Sequence, residues 1–310
     1  MIDYAIQTDG LSRSFGAVQA VEDVSLRIPA GTIFGFLGPN GSGKTTTIRL
    51  LLGLLEPSRG SATVLGFDSR SQSSDIRQRT GALLEHPGLY ERLSAQENLE
   101  FYARVWELSP GERDSRVKEL LTHMGLWERR TDQVGNWSRG MKQKLAVARA
   151  MLHRPSLIFL DEPTAGLDPV ASAALRDDLS SLVAREGVTV FLTTHNLPEA
   201  ESICNLVGVI RQGHLLTVDS PQHLRSHGGE QKVEISGNGF SPAILEELRL
   251  RPEVAEVKAN NGTLTLALRD ERPVAPLVRL LVEEGCDIEE VRKGAASLEQ
   301  AFLALMERES

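Results

Sequence analysis

A glycine-rich segment in the first fifth of the chain limits its fold more than any other feature. Residues 38–45 read Gly-Pro-Asn-Gly-Ser-Gly-Lys-Thr, which fits the pattern G-x-x-x-x-G-K-[ST]. The apolar run Ile33–Leu37 precedes this segment, and Lys44–Leu54 follows with leucines at helical spacing. Glycines let consecutive backbone N–H groups converge on phosphate oxygens, and a helix start adds the positive end of its dipole. The pattern therefore predicts a strand, a phosphate-binding loop and a helix, in that order.

The loop also contains the side chains that a bound nucleotide needs. We expect Lys44 to reach the β- and γ-phosphates and the Thr45 hydroxyl to be a ligand of Mg²⁺. The predicted nucleotide-binding residues of this segment are Gly38, Pro39, Asn40, Gly41, Ser42, Gly43, Lys44, Thr45 and Thr46.

Two adjacent acids end a second apolar run, Leu157–Leu160. Ligands of open parallel sheets bind at the carboxyl ends of the strands, where Asp161 and Glu162 would lie. We expect Asp161 to hold Mg²⁺ through water and Glu162 to polarise an attacking water molecule. The alternative is a strand that ends in a solvated acidic turn.

Strands and helices alternate through the first part of the chain. This order predicts an α/β core with a parallel sheet covered on both faces. Two polar, alternating segments predict edge strands of an antiparallel β subdomain, and residues 94–152 are helical in pattern and predict an inserted helical lobe. The further predicted elements are a helix over Val170–Arg185, a strand over Thr189–Thr193, and edge strands over Gln19–Ile28 and Ser61–Val64.

A second domain is predicted after a linker at residues 226–229, so that the division falls between 1–228 and 229–310. The elements beyond the linker follow the order βαββαβ, which favours a small ferredoxin-like α+β domain with one extra helix. They are strand Lys232–Ser236, helix Ser241–Leu248, strands Val254–Ala259 and Thr263–Ala267, helix Pro273–Glu284, strand Ile288–Val291 and helix Leu298–Arg308.

Composition bears on three classes of protein: nucleic-acid binders, membrane-spanning proteins, and proteins built on disulfides or metal-binding cysteines. The formal net charge of the 310 residues is −8, which gives no basic field for nucleic acid, so no nucleic-acid partner is expected. The longest apolar run, Leu50–Leu55, is far shorter than the roughly 20 residues of a membrane-spanning helix. Two cysteines 82 positions apart form neither a metal motif nor a disulfide framework, which favours a reducing cytosol.

Together, the phosphate loop and the Asp161–Glu162 pair resemble the nucleotide-binding subunits of ABC transporters. The family's signature L-S-G-G-Q is matched by Trp137-Ser138-Arg139-Gly140-Met141, which retains Ser138 and Gly140. The resemblance implies that these two residues cap the γ-phosphate of an ATP bound to an opposing subunit.

Three further positions match the family. Asp168, in Ala165-Gly166-Leu167-Asp168, resembles the loop that links the two sites of a dimer. His195 matches the histidine that bonds the γ-phosphate, and Phe15 matches the aromatic residue that stacks on adenine. A structural histidine and a core phenylalanine are the alternatives.

One position departs from the family pattern. The family has a glutamine that binds Mg²⁺ at the junction of the core and the helical lobe, and Glu85 aligns there. A carboxylate can also bind Mg²⁺, although it adds negative charge near the γ-phosphate. This exchange, the Ser-Arg-Gly-Met signature and the ending Ser297-Leu-Glu-Gln-Ala-Phe302 are similar to the ATP-binding subunits of bacterial drug- and antibiotic-resistance exporters.

The resemblance implies a Mg²⁺-dependent ATPase that exports drugs, antibiotics or lipid-like compounds. Two copies would pair head to tail around two ATP molecules and drive a separate permease at the cytoplasmic face of the membrane. Two alternatives remain at this point: a soluble ABC ATPase of translation or DNA repair, and a regulatory module that senses nucleotide without hydrolysing it.

Overall fold

The structure is a computed structural model that describes residues 3–227, 231–260, 262–269, 273–294 and 298–307. The chain forms two compact units, which divide between Ser220 and Pro221.

The described residues of the first unit form eleven strands and seven helices. The unit opens with β1 (Tyr4–Phe15), β2 (Val18–Val24), β3 (Arg27–Pro29), β4 (Ile33–Leu37), α1 (Lys44–Leu51), β5 (Arg59–Val64), β6 (Phe67–Asp68), α2 (Ser73–Arg79) and β7 (Thr80–Leu83). It continues with α3 (Ala95–Val105), α4 (Pro110–His123), two 3₁₀ turns (Trp127–Arg129 and Val134–Asn136), α5 (Arg139–Ala150), β8 (Leu157–Asp161), α6 (Pro169–Glu186), β9 (Thr189–Thr194), α7 (Leu197–Ile203), β10 (Leu206–Arg211) and β11 (His214–Asp219).

The central sheet has the strand order β11-β10-β4-β9-β8-β7, and all of its pairs are parallel except the β10–β11 pair. Every residue of β4, β8 and β9 is buried, as expected for strands covered on both faces. The register pairs Leu37 with Thr194 and Asp161 with Thr193. The carboxyl ends of these three strands therefore meet at one edge of the sheet.

A second, antiparallel sheet has the order β2-β1-β5-β6, with β3 also paired to β1. The single edge strand predicted over Gln19–Ile28 was wrong, because two strands pair with different halves of β1. The Thr8 hydroxyl marks the break, since it donates to Val24 O and accepts from Leu26 N, both at 2.8 Å. This buried bridge replaces the ladder bonds that a continuous strand would make.

The helical lobe is inserted between β7 and β8, as predicted. Its first helix, α3, is capped by Ser94, whose side chain accepts from Glu97 N while the Glu97 side chain accepts from Ser94 N. This reciprocal cap satisfies two of the backbone donors at the helix start. The helix predicted over Lys44–Leu54 ends earlier, at Leu51.

The described residues of the second unit form a four-stranded antiparallel sheet with the order β13-β14-β12-β15. The elements of this unit are α8 (Pro221–His227), β12 (Gln231–Asn238), α9 (Pro242–Arg249), β13 (Val254–Asn260), β14 (Thr263–Leu268), α10 (Ala275–Glu283), β15 (Asp287–Gly294) and α11 (Leu298–Glu307). Buried residues of α9 and α10, including Ile244 and Leu281, share one core with Val233, Ile235 and Leu266 of the sheet. This is the predicted ferredoxin-like arrangement.

The linker between the two domains was predicted at residues 226–229. Ser226 and His227 lie at the end of α8, and Gly228 and Gly229 lie outside the described residues. A polar segment that begins with Pro221 can start a helix, because proline suits the first helical position. Within the ranges described, no helix is both long enough and apolar enough to cross a membrane.

Candidate nucleotide-binding and hydrolysis site

The phosphate loop joins buried β4 to α1, and two of its glycines are required sterically. A Cβ on Gly38 would lie 2.3 Å from Ile210 O of the neighbouring strand. Gly43 has φ +107°, and a Cβ there would lie 2.4 Å from Ala20 O on β2. Larger residues would therefore push the loop away from the two sheets that support it. The remaining tip, Pro39 to Gly41, is exposed.

Lys44 lies at the start of α1 with only 5% of its surface exposed. Its Nζ donates to Gly38 O at 2.8 Å and to Pro39 O at 3.0 Å, and it lies 3.4 Å from Glu162 Oε1. The ammonium group is thus held by two carbonyl oxygens of the phosphate loop and lies beside the Glu162 carboxylate.

Thr45 and Asp161 meet although 116 positions separate them in the chain. The Thr45 hydroxyl donates to Asp161 Oδ2 at 2.8 Å, and the Thr193 hydroxyl donates to Asp161 Oδ1 at 2.5 Å. Hydroxyl and carboxylate oxygens are the hard ligands that Mg²⁺ prefers, so these residues fit that ion. Among the described residues, no three His, Cys, Asp or Glu side chains form a metal cluster by themselves.

Glu162 lies between two other candidate residues. Its Oε1 faces Lys44, and its Oε2 lies 3.1 Å from Nδ1 of His195. The backbone of Glu162 has φ +48°, a left-handed conformation that residues other than glycine rarely adopt. Two bonds from Glu162 N, to the carbonyl oxygen and the hydroxyl of Thr193, hold this strained residue against the end of β9. Strain of this kind persists where the surroundings over-determine it, which is common at functional sites.

A cleft of about 490 Å³ opens between the phosphate loop and the helical lobe. Its lining brings together three of the predicted residues, Thr45, Asp161 and Glu162, with the predicted metal ligand Glu85. Glu85 is paired with Arg49 of α1, at 3.3 Å from Nη2 to Oε1. The rest of the lining consists of Leu84, Pro87, Trp137, Arg139, Lys142, Gln143 and Ala165.

Ser138, Gly140 and Asp168 lie at the starts of two adjacent helices. The Ser138 hydroxyl accepts from Met141 N at 3.3 Å and caps α5, while Asp168 Oδ1 accepts from Ala171 N at 2.9 Å and caps α6. A Cβ on Gly140 would lie 3.2 Å from the Cβ of Ala171, so the two helix starts pack closely. These three residues are not among the described residues that line the cleft.

Phe15 lies at the end of β1 and is 45% exposed. The guanidinium of Arg13 lies 4.7 Å from the centre of its ring. The ring is thus outside the core.

Sequence reasoning missed three contributors to the site. Thr193 positions both acids, Arg49 pairs with Glu85, and Arg139 lies against Gly166, where a Cβ would be 2.2 Å from its Nη1. Of these three, only Thr193 could have been found from the sequence, because it follows the apolar centre Val190–Leu192 of its strand.

The phosphate loop at the end of β4, the two acids at the end of β8 and the histidine after β9 define a P-loop ATPase of the α/β class. Residues 21–165 match the family described as "ABC transporter". The chain is 32% identical to the bacitracin transport ATP-binding protein BcrA of Bacillus licheniformis over 97% of both chains. It is 30% identical to the linearmycin resistance ATP-binding protein LnrL of Bacillus subtilis over 98% of both.

A solved structure agrees with these relatives. It is that of cbiO1 from Clostridium perfringens, part of the ABC transporter complex cbiONQ. The two chains are 26% identical and superpose with a TM-score of 0.67. The match covers 72% of this chain and 90% of that chain. The chain therefore belongs to the ATP-binding subunits of ABC transporters. Its activity is ATP hydrolysis coupled to transport, and the predicted family and fold class are confirmed. The alternative of a soluble ATPase in translation or DNA repair is not favoured.

Proposed function

We propose that this chain is the motor of an exporter for drugs, antibiotics or lipid-like compounds, whose membrane-spanning permease is a separate polypeptide. The observation that carries the proposal is similarity over nearly the whole chain, second unit included, to subunits named for bacitracin transport and linearmycin resistance. The protein would then work at the cytoplasmic face of the membrane, held there by the permease.

Within the cleft, each residue has a role that its surroundings support. Thr45 and Asp161, with Glu85 across the cleft, would hold Mg²⁺, which supplies positive charge to the phosphates when bound. Lys44 would bind the β- and γ-phosphates together with the backbone of Gly38–Thr46. Glu162 would accept a proton from the attacking water, and His195, in contact with Glu162, would orient it and bond the γ-phosphate. Phe15, whose side chain is exposed, would stack on adenine.

A second copy of the chain would complete each site. Ser138 and Gly140 are not among the described residues that line their own cleft, yet they lie at a helix start with backbone donors that suit an anion. Two copies in a head-to-tail arrangement would place these residues over the γ-phosphate held by the partner, with Asp168 linking the two sites. Hydrolysis would then open the dimer, because phosphate and ADP no longer connect the two copies.

The surface that would receive the permease includes the first helix of the helical lobe, α3. Tyr90, Phe101 and Val105 are exposed apolar side chains, and the rings of Tyr90 and Phe101 lie 4.9 Å apart. Exposed apolar groups in one patch are typical of protein interfaces. A cytoplasmic helix of the permease with its own apolar side chains fits this surface.

Affinity purification of Glu162→Gln from detergent-solubilised native membranes, with ATP and Mg²⁺, tests the proposal. We expect a multi-span membrane protein in equal molar amount, and we expect its loss when Val105→Glu is added. Val282→Glu, an exposed apolar position of the second unit, serves as the matched control. Recovery of ribosomes or DNA-repair proteins without a membrane protein would overturn the proposal.

A further inference from the structure

A buried carboxylate with no assigned role lies behind the candidate catalytic pair. Glu199 belongs to α7, and only 1% of its surface is exposed. Its Oε1 accepts from the Thr164 hydroxyl at 2.8 Å, and its Oε2 accepts from the Thr194 hydroxyl at 2.7 Å. Burying a polar group is costly unless hydrogen bonds satisfy it, and both side-chain oxygens of Glu199 have such a bond.

The two threonines belong to the two loops that carry the candidate catalytic residues. Thr164 follows Glu162 by two positions after β8, and Thr194 directly precedes His195 at the end of β9. The Glu199 side chain therefore bridges these two loops, which follow the neighbouring strands β8 and β9.

Glu199 also controls the residue on the other side of His195. Because the Thr194 hydroxyl donates to Glu199, its lone pairs are free to accept from Asn196 N, which lies at 2.9 Å. The Asn196 side chain in turn accepts from Glu199 N at 3.3 Å. The side chains of Thr194 and Asn196, on the two sides of His195, are thus both hydrogen-bonded to Glu199.

We propose that Glu199 is a positioning residue that holds His195 against Glu162. It is not among the described residues that line the cleft, so it acts through the two loops and not on the nucleotide. Both oxygens of Glu199 accept from a threonine, which fixes the direction of both hydroxyls; an apolar residue of similar size would leave both without this partner. The proposal rests on the roles proposed above for Glu162 and His195.

Steady-state ATP hydrolysis by the full-length chain tests this inference. Glu199→Ala breaks the bridge, and we expect kcat to fall by at least about tenfold, since small misplacement of a catalytic group costs up to about a hundredfold. The KM for ATP and the Kd of a fluorescent ATP analogue should change less than about threefold, because Lys44 and its loop are untouched. Glu199→Gln can accept from one threonine and donate to the other, so it should recover most of kcat.

Thr164→Val and Thr194→Val each remove one of the two hydroxyl bonds to Glu199. These variants test the inference even if Glu199→Ala does not fold. Each should lower kcat more than KM. Thr189→Val is the matched control, since Thr189 is also buried on β9 but accepts from Gly31 N, away from the site. It should leave kcat unchanged even if it lowers the melting temperature.

The outcomes separate the two proposals. If Glu162→Gln and His195→Ala are inactive while the folded bridge variants retain the kcat of the unaltered protein, the positioning role is wrong and the site assignment remains. If Glu162→Gln and His195→Ala hydrolyse ATP normally, the site assignment itself is wrong, and the inference falls with it. A loss of ATP affinity equal to the loss of kcat would also contradict positioning.

Discussion

Arg49 and Glu85 form an ion pair that links the first helix after the phosphate loop to the loop after β7, with 3.3 Å between Nη2 and Oε1. Both side chains are substantially exposed, so the pair adds little to stability. Its importance is electrostatic, because Glu85 lines the same cleft as Asp161 and Glu162. The guanidinium offsets one of the three negative charges there.

From this pair we predict a coupled effect on nucleotide binding. Arg49→Gln leaves the Glu85 charge uncompensated, so the Kd for ATP in the presence of EDTA should rise about two- to fivefold. Glu85→Gln should not raise it, and the double variant should bind like Glu85→Gln alone. Titration with a fluorescent ATP analogue measures this cycle. Arg104→Gln, which removes the exposed Arg104–Glu100 pair, is the control, and equal weakening by both arginine variants would contradict the prediction.

Glu162→Gln should separate ATP binding from hydrolysis. If Glu162 is the proposed general base, its removal should lower kcat by about a hundred- to ten-thousandfold, while Lys44 and the phosphate loop remain. The variant should therefore accumulate with ATP and Mg²⁺ as a dimer of twice the 33.9 kDa chain mass. Light scattering after gel filtration measures this mass. Lys44→Ala in the same background should stay monomeric, whereas hydrolysis at the unaltered rate would refute the role of Glu162.

Arg116 holds the helical lobe to the end of α6. It is 2% exposed, forms two bonds to Glu186 at 2.7 and 2.8 Å, and donates to Met151 O at 2.6 Å. Arg116→Leu leaves Glu186 with only its bond to Arg185 and removes the donor to the Met151 carbonyl, so we expect the free energy of unfolding to fall by up to about 3–5 kcal/mol. Urea denaturation measures the change. Adding Glu186→Leu should recover part of it, and Arg104→Leu should cost less than about 1 kcal/mol. A similar loss from both arginine variants would be the contrary result.

His153 should make stability depend on pH between about 4 and 6.5. Burial lowers its pKa from 6.5 to about 4; the hydrogen bond to Thr80 O opposes this, and the nearby charge of Arg116 adds to it. The unfolded chain takes up a proton at this residue before the folded chain does, so the contribution is complete above pH 6.5 and is lost as the pH falls towards 4. The full loss is up to about 3 kcal/mol.

Urea denaturation at about pH 7 and about pH 4.5, on either side of the unfolded pKa, tests this dependence. His153→Gln should reduce the difference between the two pH values, whereas substitution of the exposed His86 by Gln should leave it unchanged. The same pH dependence in all three proteins would show that His153 is not its source.

Local patterns account for much of the fold and part of the site. The phosphate loop, the buried strands and the βαββαβ order were predicted correctly because each depends on residue types at short spacing. The break in the predicted strand at Gln19–Ile28 was missed, because it depends on Thr8, which lies in another strand. No short-range signal marks such a bond.

The sequence alone determined which chemistry this protein can perform, since the glycines, Lys44, Thr45 and the two acids form a pattern that is readable from residue types and spacing. Only the tertiary structure decided how those groups are held. Three contacts show this, because each joins residues on different strands, helices or loops. They are the Thr193 bond to Asp161, the Arg49–Glu85 pair and the Glu199 bridge. The physical reason is that motif residues are specified by local backbone geometry, whereas their partners are specified by strand register and burial, which exist only in the folded sheet.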